Sequence, residues 1–307
     1  MASDRDSVLV IAPEGDAHAR AVTDRLASMG VDAVSLDMSR FPGALAISLG
    51  EDLTDITIDG RRVAPRAVYL RDLALDPSGR PGFDVAMRDD WGRTMAALRE
   101  RSTFLMSILY RWEAAGVRLY NPVSAFQNIT KPYQLALLAA AGLPVPLTRW
   151  TNDPDDVRRF AAERAVIYKP VSGGAATKVL DDGDLARLDR LRSAPVCFQE
   201  LLPGTDLRVY VVDGRVVASV AIASDAIDFR QHELAIDRIS IDDELAATCV
   251  RACATLGLRY TGMDLKVDAA GRPKILELNP SPMFLGFDSR AGTDILGALC
   301  AALATAS

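Results

Sequence analysis

The sequence predicts an α/β protein, with a parallel sheet at its start and α+β organisation in its C-terminal half. Three observations carry this. Residues 7–13, 17–29 and 31–36 read as an apolar strand, a helix stopped by Gly30, and a second strand. That β-α-β opening suits a parallel sheet whose strands are buried on both faces. Asp213-Gly214, between the alternating runs 206–212 and 215–222, is a hairpin signal. A second hairpin is expected where 261–266 and 274–282 flank the turn-forming stretch 268–273.

The remaining elements follow in order. Residues 44–49 and 55–58, with the Asp59-Gly60 turn, read as added antiparallel strands. Residues 67–72 form a buried strand ending in Arg71 and Asp72. Charges at such strand ends can face a crevice, so Arg71 is a candidate substrate residue, with a structural ion pair as the plainer reading. Residues 83–115 read as one long helical segment closed by Gly116, and 117–121 as a short strand. Asn121-Pro122 marks a boundary. A helix then runs from a Thr130 cap, with Pro132 early in it, to a Gly142 stop. It places Lys131 at its start and Leu135, Leu137, Leu138 and Ala141 on its apolar face. Residues 153–163 are helical, and 165–170 form a buried strand that terminates in Lys169 and enters the small-residue loop 171–178. A strand over 196–202 precedes the first hairpin, where Asp206 and Arg208 alternate with Leu207, Val209 and Val211. Residues 225–233 are irregular, 242–256 form an amphipathic helix stopped by Gly257, and a last helix reaches about Ala304.

Composition narrows the function. The 307 residues suffice for two or three packed units, and 49% hydrophobic with 25% charged residues is an ordinary globular balance. A net charge of −6 argues against a nucleic-acid binder relying on a basic surface. Cys197, Cys249, Cys253 and Cys300 accompany only His18 and His232, so buried thiols are favoured over a zinc site. No signal pattern opens the chain and no apolar run reaches the length of a membrane span, so a cytoplasmic, reduced protein is expected.

Two stretches carry chemistry. The second hairpin brings Asp264 close to Glu277 and Asn279, and residues two apart on a strand share a face. Two carboxylates and an amide oxygen form a hard donor set of the kind Mg²⁺ takes; a solvated hairpin is the plain alternative. In the loop after Lys169, Ser172, Gly173 and Gly174 let backbone N–H groups approach a phosphate closely. It lacks the Gly-Lys-Ser/Thr of a Walker loop, and a flexible hairpin is its alternative.

Taken in order, Lys131, Lys169 with its loop, Gln199-Glu200-Leu201-Leu202, Asp206-Leu207-Arg208, Asp264 and Glu277-Leu278-Asn279 resemble the ATP-grasp superfamily, in particular RimK-like carboxylate–amine ligases. The resemblance is close over about 120–307. It implies an ATP-grasp fold: an N-terminal parallel-sheet pre-ATP-grasp domain (1–121), a central small lobe (122–202) and a C-terminal lobe with the metal site (203–307). By the resemblance, Lys131 and Lys169 hold phosphates and residues 172–175 fold over the triphosphate. Gln199, Glu200, Leu201 and Leu202 form the hinge against adenine and ribose, with Asp206 a second ribose candidate. Arg208 serves the γ-phosphate or acyl phosphate, and Asp264, Glu277 and Asn279 bind magnesium. Arg230, in Asp228-Phe229-Arg230, orients the acceptor carboxylate, a task its bidentate fork suits; His232 in that loop is read as incidental.

The implied reaction consumes ATP with Mg²⁺ (two ions, Mn²⁺ a possible substitute). A carboxylate becomes an acyl phosphate, and an amine then displaces phosphate to form an amide. The substrates are small molecules or peptides, and a homo-oligomer, dimer or tetramer, is implied; nucleic acid and membrane are not expected partners. A second reading within the superfamily is a maturase that crosslinks side chains of a ribosomal precursor peptide by amides or esters. Residues 8–11, Phe41-Pro42 and 69–71 favour it. Residues 281–287 depart from it, since those maturases often carry a Gly-Gln pair there. Outside the ligases, a non-catalytic nucleotide-binding module is disfavoured by the intact Lys131, Lys169, Asp264, Glu277 and Asn279. An inositol-phosphate kinase is disfavoured by the acidic balance.

Overall fold

The apolar run near the start forms strand β1 (Ser7–Ala12), buried at every position. In the computed structural model, which describes residues 7–51, 56–73, 82–172, 176–224 and 233–305, the chain divides into two units. The first holds residues 1–124, 283–285 and 296–307; the second holds 125–282 and 286–295.

In the first unit, α1 (Ala17–Ser28) is capped by Asp16, whose side chain accepts the Ala19 N–H, and leads to β2 (Ala33–Asp37). Strands β3 (Ile47–Leu49), β4 (Ile56–Ile58) and β5 (Arg61–Val63) make a small antiparallel sheet. Strand β6 (Pro65–Leu70), helices α2 (Phe83–Asp89) and α3 (Trp91–Ala114), and β7 (Arg118–Tyr120) follow. The parallel sheet has the order β2-β1-β6-β7. The expected single helix over 83–115 is two helices. Asp90 leaves helical geometry at φ −152° and ψ 87°, and its carboxylate accepts the Arg93 N–H, capping α3 where the apolar pattern runs on unbroken.

The second unit begins with a short 3-10 stretch and α4 (Lys131–Ala140). Its first sheet contains β8 (Thr148–Thr151), β9 (Val166–Pro170), β10 (Lys178–Val179) and β11 (Val196–Glu200), in the antiparallel order β10-β9-β11-β8. Helices α5 (Pro154–Ala161) and α6 (Asp182–Leu185) belong to this part, and Val157, Phe160, Val166, Leu188, Leu191 and Phe198 form its core. The second sheet is antiparallel and five-stranded. It contains β12 (Thr205–Val212), β13 (Arg215–Ser224), β14 (Glu233–Arg238), β15 (Tyr260–Val267) and β16 (Pro273–Asn279), ordered β14-β13-β12-β15-β16. Asp213 and Gly214 both take positive φ at the β12–β13 turn, as the right-handed strand twist favours. One face of this sheet packs on α4 and on α7 (Asp243–Leu256), burying Leu207, Val209, Met263, Leu265, Cys249 and Cys253 among others. Full burial of each such side chain contributes roughly 1.5–3 kcal/mol. Helices α8 (Leu285–Ala291) and α9 (Ile295–Ala304) end the chain, and α9 lies almost wholly in the first unit.

Candidate active site

The five-stranded sheet has one apolar face, so every second residue is left for the other side. Along β12 that second set is Asp206, Arg208 and Tyr210; along β15 it includes Asp264 and Lys266. Register puts opposite charges directly across from each other, Arg208 facing Asp264 and Asp206 facing Lys266. Arg208 bonds the Asp264 carboxylate and lies over the Tyr210 ring at 5.4 Å, while Lys266 Nζ sits 2.9 Å from Asp206 Oδ2. Burial works against the Arg208 charge, but Asp264 more than offsets it and raises its pKa. Burial also pushes the Tyr210 hydroxyl up to about 12, despite the pull of Arg208 in the other direction.

Strand β16 departs from simple alternation. Asp264 pairs with Glu277 and Leu265 with Ile275, so Leu276 is an extra residue in a β-bulge. Ile275 and Leu278 both enter the core. The two residues between them, Leu276 and Glu277, therefore both leave it. Leu276 lines a cavity, and Glu277 Oε2 meets Lys131 Nζ at 2.9 Å, from the first turn of α4. Asn279 lies opposite Gly262; its Oδ1 accepts the Ser281 N–H at 2.9 Å and its carbonyl accepts the Thr261 hydroxyl at 2.8 Å. Gln134, also on α4, bonds the backbone of Leu278.

Lys169 on β9 stands across from Cys197, and its ammonium donates to Gln199 Oε1 at 3.2 Å; Gln199 in turn donates to Thr148. Burial lowers the Lys169 pKa. Lys131 adds to this effect, while Cys197, Glu277 and Asp264 oppose it. Two lysines and two carboxylates therefore form one electrostatic group. The Cys197 thiol is pushed up to about 11 by burial, against the pull of Lys169. Glu200 pairs with Leu147 through its backbone N–H and accepts the Leu147 N–H on Oε1 at 2.9 Å. A cavity of about 290 Å³ opens here, lined by Lys169, Gln199, Glu200, Leu201, Leu202, Asp206, Lys266 and Leu276 among others. At its lip Gly204 takes φ +133°, and a Cβ there would lie 2.2 Å from the Val267 carbonyl oxygen.

The structure thus brings Lys131, Lys169, Asp264 and Glu277 into one charged group. It places Gln199, Glu200, Leu201, Leu202 and Asp206 around one cavity that also reaches Lys169. Ser172 is exposed, while Gly173, Gly174, Asp228, Phe229, Arg230 and His232 lie outside the described residues. Arg71 belongs to the first unit, where its Nε sits 3.1 Å from Asp16 Oδ2, the plainer of its two readings. All four cysteines are buried and free. Among the described residues no group of three or more His, Cys, Asp or Glu could hold a metal; the candidate set is two carboxylates and an amide. Its all-oxygen chemistry, with both carboxylates directly across one strand pair, fits magnesium. Sequence reasoning missed Lys266, Gln134, Tyr210 and Leu276. Lys266 was within reach of the period-two rule from Asp264, and Gln134 shares a helical face with Lys131; the bulge at Leu276 left no signal.

The chain matches the RimK-like ATP-grasp domain over residues 130–303, more than half its length. It is 51% identical to the ATP-grasp ligase PsnB, solved with a phosphomimetic variant of minimal precursor, Mg and ADP; the match covers 97% of this chain and 98% of that one, with a TM-score of 0.90. A probable alpha-L-glutamate ligase of Xanthomonas oryzae pv. oryzae is 28% identical over 264 residues, 78% of this chain and 86% of that one. The macrocyclase MdnC of Microcystis aeruginosa MRC, 23% identical with a TM-score of 0.80 over 97% of this chain and 99% of that one, shares the fold. The chain belongs to the RimK-like ATP-grasp family and is an ATP- and Mg²⁺-dependent carboxylate–amine ligase.

Proposed function

We propose that this ligase works on a peptide and closes amide or ester crosslinks between its side chains. One observation carries the reading: the end-to-end, 51% identical likeness to a ligase solved with its precursor. The glutamate ligases are more distant, at 28% identity over 78% of this chain for the one described above.

In this reading a peptide carboxylate attacks the γ-phosphate of ATP, forming an acyl phosphate and ADP. A side-chain amine or hydroxyl of the same peptide then attacks the activated carbonyl, loses its proton, and expels phosphate. The work is positioning and charge stabilisation, since no covalent enzyme intermediate is needed. Lys131 and Lys169 hold phosphate oxygens as point charges, and the loop assigned to the triphosphate is 172–175. Gln199, Glu200, Leu201 and Leu202 bound the base and ribose, with Asp206 beside them. Asp264, Glu277 and Asn279 would hold magnesium, which supplies charge neutralisation on the phosphoryl group. Arg208, fixed by Asp264 and Tyr210, stabilises the transferred phosphoryl or the acyl phosphate, and Arg230 orients the acceptor. The lobes of this site are 122–202 and 203–307, and residues 1–121 make up an N-terminal domain.

We further propose a cytoplasmic homo-oligomer, dimer or tetramer, that needs neither nucleic acid nor membrane. The net charge of −6 speaks against a nucleic-acid partner, and among the described residues no helix is long and apolar enough to cross a membrane.

The test is ADP release over free glutamate, dipeptides and candidate precursor peptides, with the product weighed. A precursor peptide is expected to drive turnover and emerge lighter by one water per crosslink. Turnover only with glutamate, giving a heavier glutamylated product, overturns the proposal.

A further inference from the structure

We propose that Gln134 is a positioning residue for the magnesium-binding edge, acting through the backbone of β16. This rests on the reading of Asp264, Glu277 and Asn279 as the metal's ligands. β16 is the outermost strand of its sheet, so one row of its N–H and C=O groups faces away from β15. Leu278 sits on that row between Glu277 and Asn279. The Gln134 amide donates from Nε2 to the Leu278 carbonyl at 3.0 Å and accepts the Leu278 N–H on Oε1 at 2.8 Å. Both bonds fall on one residue, as a partner strand would make them. Gln134 and Leu278 are each 1% exposed, so water offers neither group a substitute.

Three residues earlier on the same helical face, Lys131 holds the Glu277 carboxylate at 2.9 Å. Helix α4 thus fixes the side chain of one candidate ligand and the peptide unit that joins it to the next. An apolar side chain at 134 fills the space but leaves the Leu278 amide and carbonyl buried without partners, a state that strands relieve by shifting. A shift at Leu278 moves Glu277 and Asn279 together. Partners that orient metal ligands change metal affinity by about 10–100-fold when removed.

The experiment measures ADP binding by calorimetry with and without Mg²⁺, so that the ratio of the two affinities reports the metal alone. In Gln134→Met this ratio is expected to fall by roughly ten-fold, with Mg²⁺-free ADP affinity unchanged and the Mg²⁺ concentration for half-maximal ADP formation raised to match. An unchanged ratio in folded Gln134→Met overturns the proposal. If that variant does not fold, Gln134→Glu, which keeps the acceptor and removes the donor, is measured the same way. Failure of both to fold makes Gln134 a residue of the fold alone and also overturns it. Glu277→Gln separates the underlying reading: loss of the Mg²⁺ effect there upholds the metal site whatever Gln134 does, and its retention defeats the metal site itself.

Discussion

Gly262 lies on β15 opposite both Tyr210 and Asn279, and the Arg208 side chain crosses the space where a side chain would begin. A Cβ at this position would lie 2.7 Å from Arg208 Nη2, 2.8 Å from its Nε and 2.7 Å from Pro282 Cβ. The proline ring cannot fold away. Arg208 is 8% exposed, bonded to Asp264 and seated over Tyr210. Gly262→Ala must therefore push the guanidinium off its carboxylate partner or strain the 279–282 segment. Overpacking of this kind costs about 1–3 kcal/mol, which in a unit of this size lowers the unfolding midpoint by about 2–4 °C for each kcal/mol. The catalytic loss should be larger, because a misplacement near 1 Å at a reacting centre costs about 100-fold. Steady-state ADP release with calorimetric unfolding is the assay. The expected result is kcat down by about 100-fold, KM for ATP changed far less, and a cooperative unfolding transition retained. Wild-type kcat in a folded Gly262→Ala protein would refute the assignment of a fixed, catalytically engaged Arg208.

Asp264→Asn and Glu277→Gln are each expected to abolish ATP turnover; near-normal rates in both would remove the metal assignment. Burial, with Lys131 beside it, lowers the Lys169 pKa, so Lys169 gives up its proton at a lower pH than the usual lysine value of about 10.4. KM for ATP should therefore climb on the alkaline side below that value, and Lys169→Arg, which keeps its charge, should flatten the climb. Lys266→Met leaves Asp206 partly buried without its ammonium, and is expected to raise KM for ATP about ten-fold with kcat little changed. His18 is buried, and this burial, together with Arg71, depresses its pKa despite Asp16; its Nδ1 accepts the Phe284 N–H at 3.5 Å. Protonation therefore favours unfolding: the stability is present above the unfolded value of about 6.5 and is lost as pH falls through the folded one. Unfolding midpoints measured from pH 7 to 5 should fall, and His18→Gln should weaken the dependence.

Much of this fold was legible because its strands and helices announce themselves by period and punctuation. Asp213-Gly214 marked a turn that forms with both residues at positive φ, and Gly257 closes α7 in the left-handed region. The failures lie where a polar side chain acts on backbone. Asp90 splits an unbroken helical pattern by capping α3. Strand β14 and the short β10 were passed over; each lies at an edge, where only one side has a neighbour. Edge strands owe their existence to pairing more than to composition, so a reading based on composition passes over them.

The site divides along the same line. Lys131, Lys169, Asp206, Arg208, Asp264 and Glu277 could be singled out because charge on an apolar strand or at a helix start is conspicuous. The hairpin also gave the closeness of Asp264 to Glu277, which lie directly across from each other. The register shift that turns two consecutive residues out of the core could not be read. Without the bulge at Leu276, strict alternation from Ile275 in the core would turn Glu277 inward and Leu278 outward. The extra residue reverses the pattern after it. It puts an apolar side chain on the cavity wall and a carboxylate beside Lys131 in consecutive positions. The bulge follows from two demands at its ends: Ile275 donates its N–H to the Pro144 carbonyl at 2.7 Å, and Leu278 is held by Gln134. Both partners are more than a hundred residues away in the chain. Deleting Leu276 would leave Ile275, Glu277 and Leu278 alternating in, out and in, with Glu277 still opposite Asp264. The deletion should therefore keep ADP formation and cooperative unfolding while taking an apolar side chain from the cavity wall. KM for ATP should rise with kcat changed far less, and complete loss of turnover in the folded protein would refute this account of the bulge.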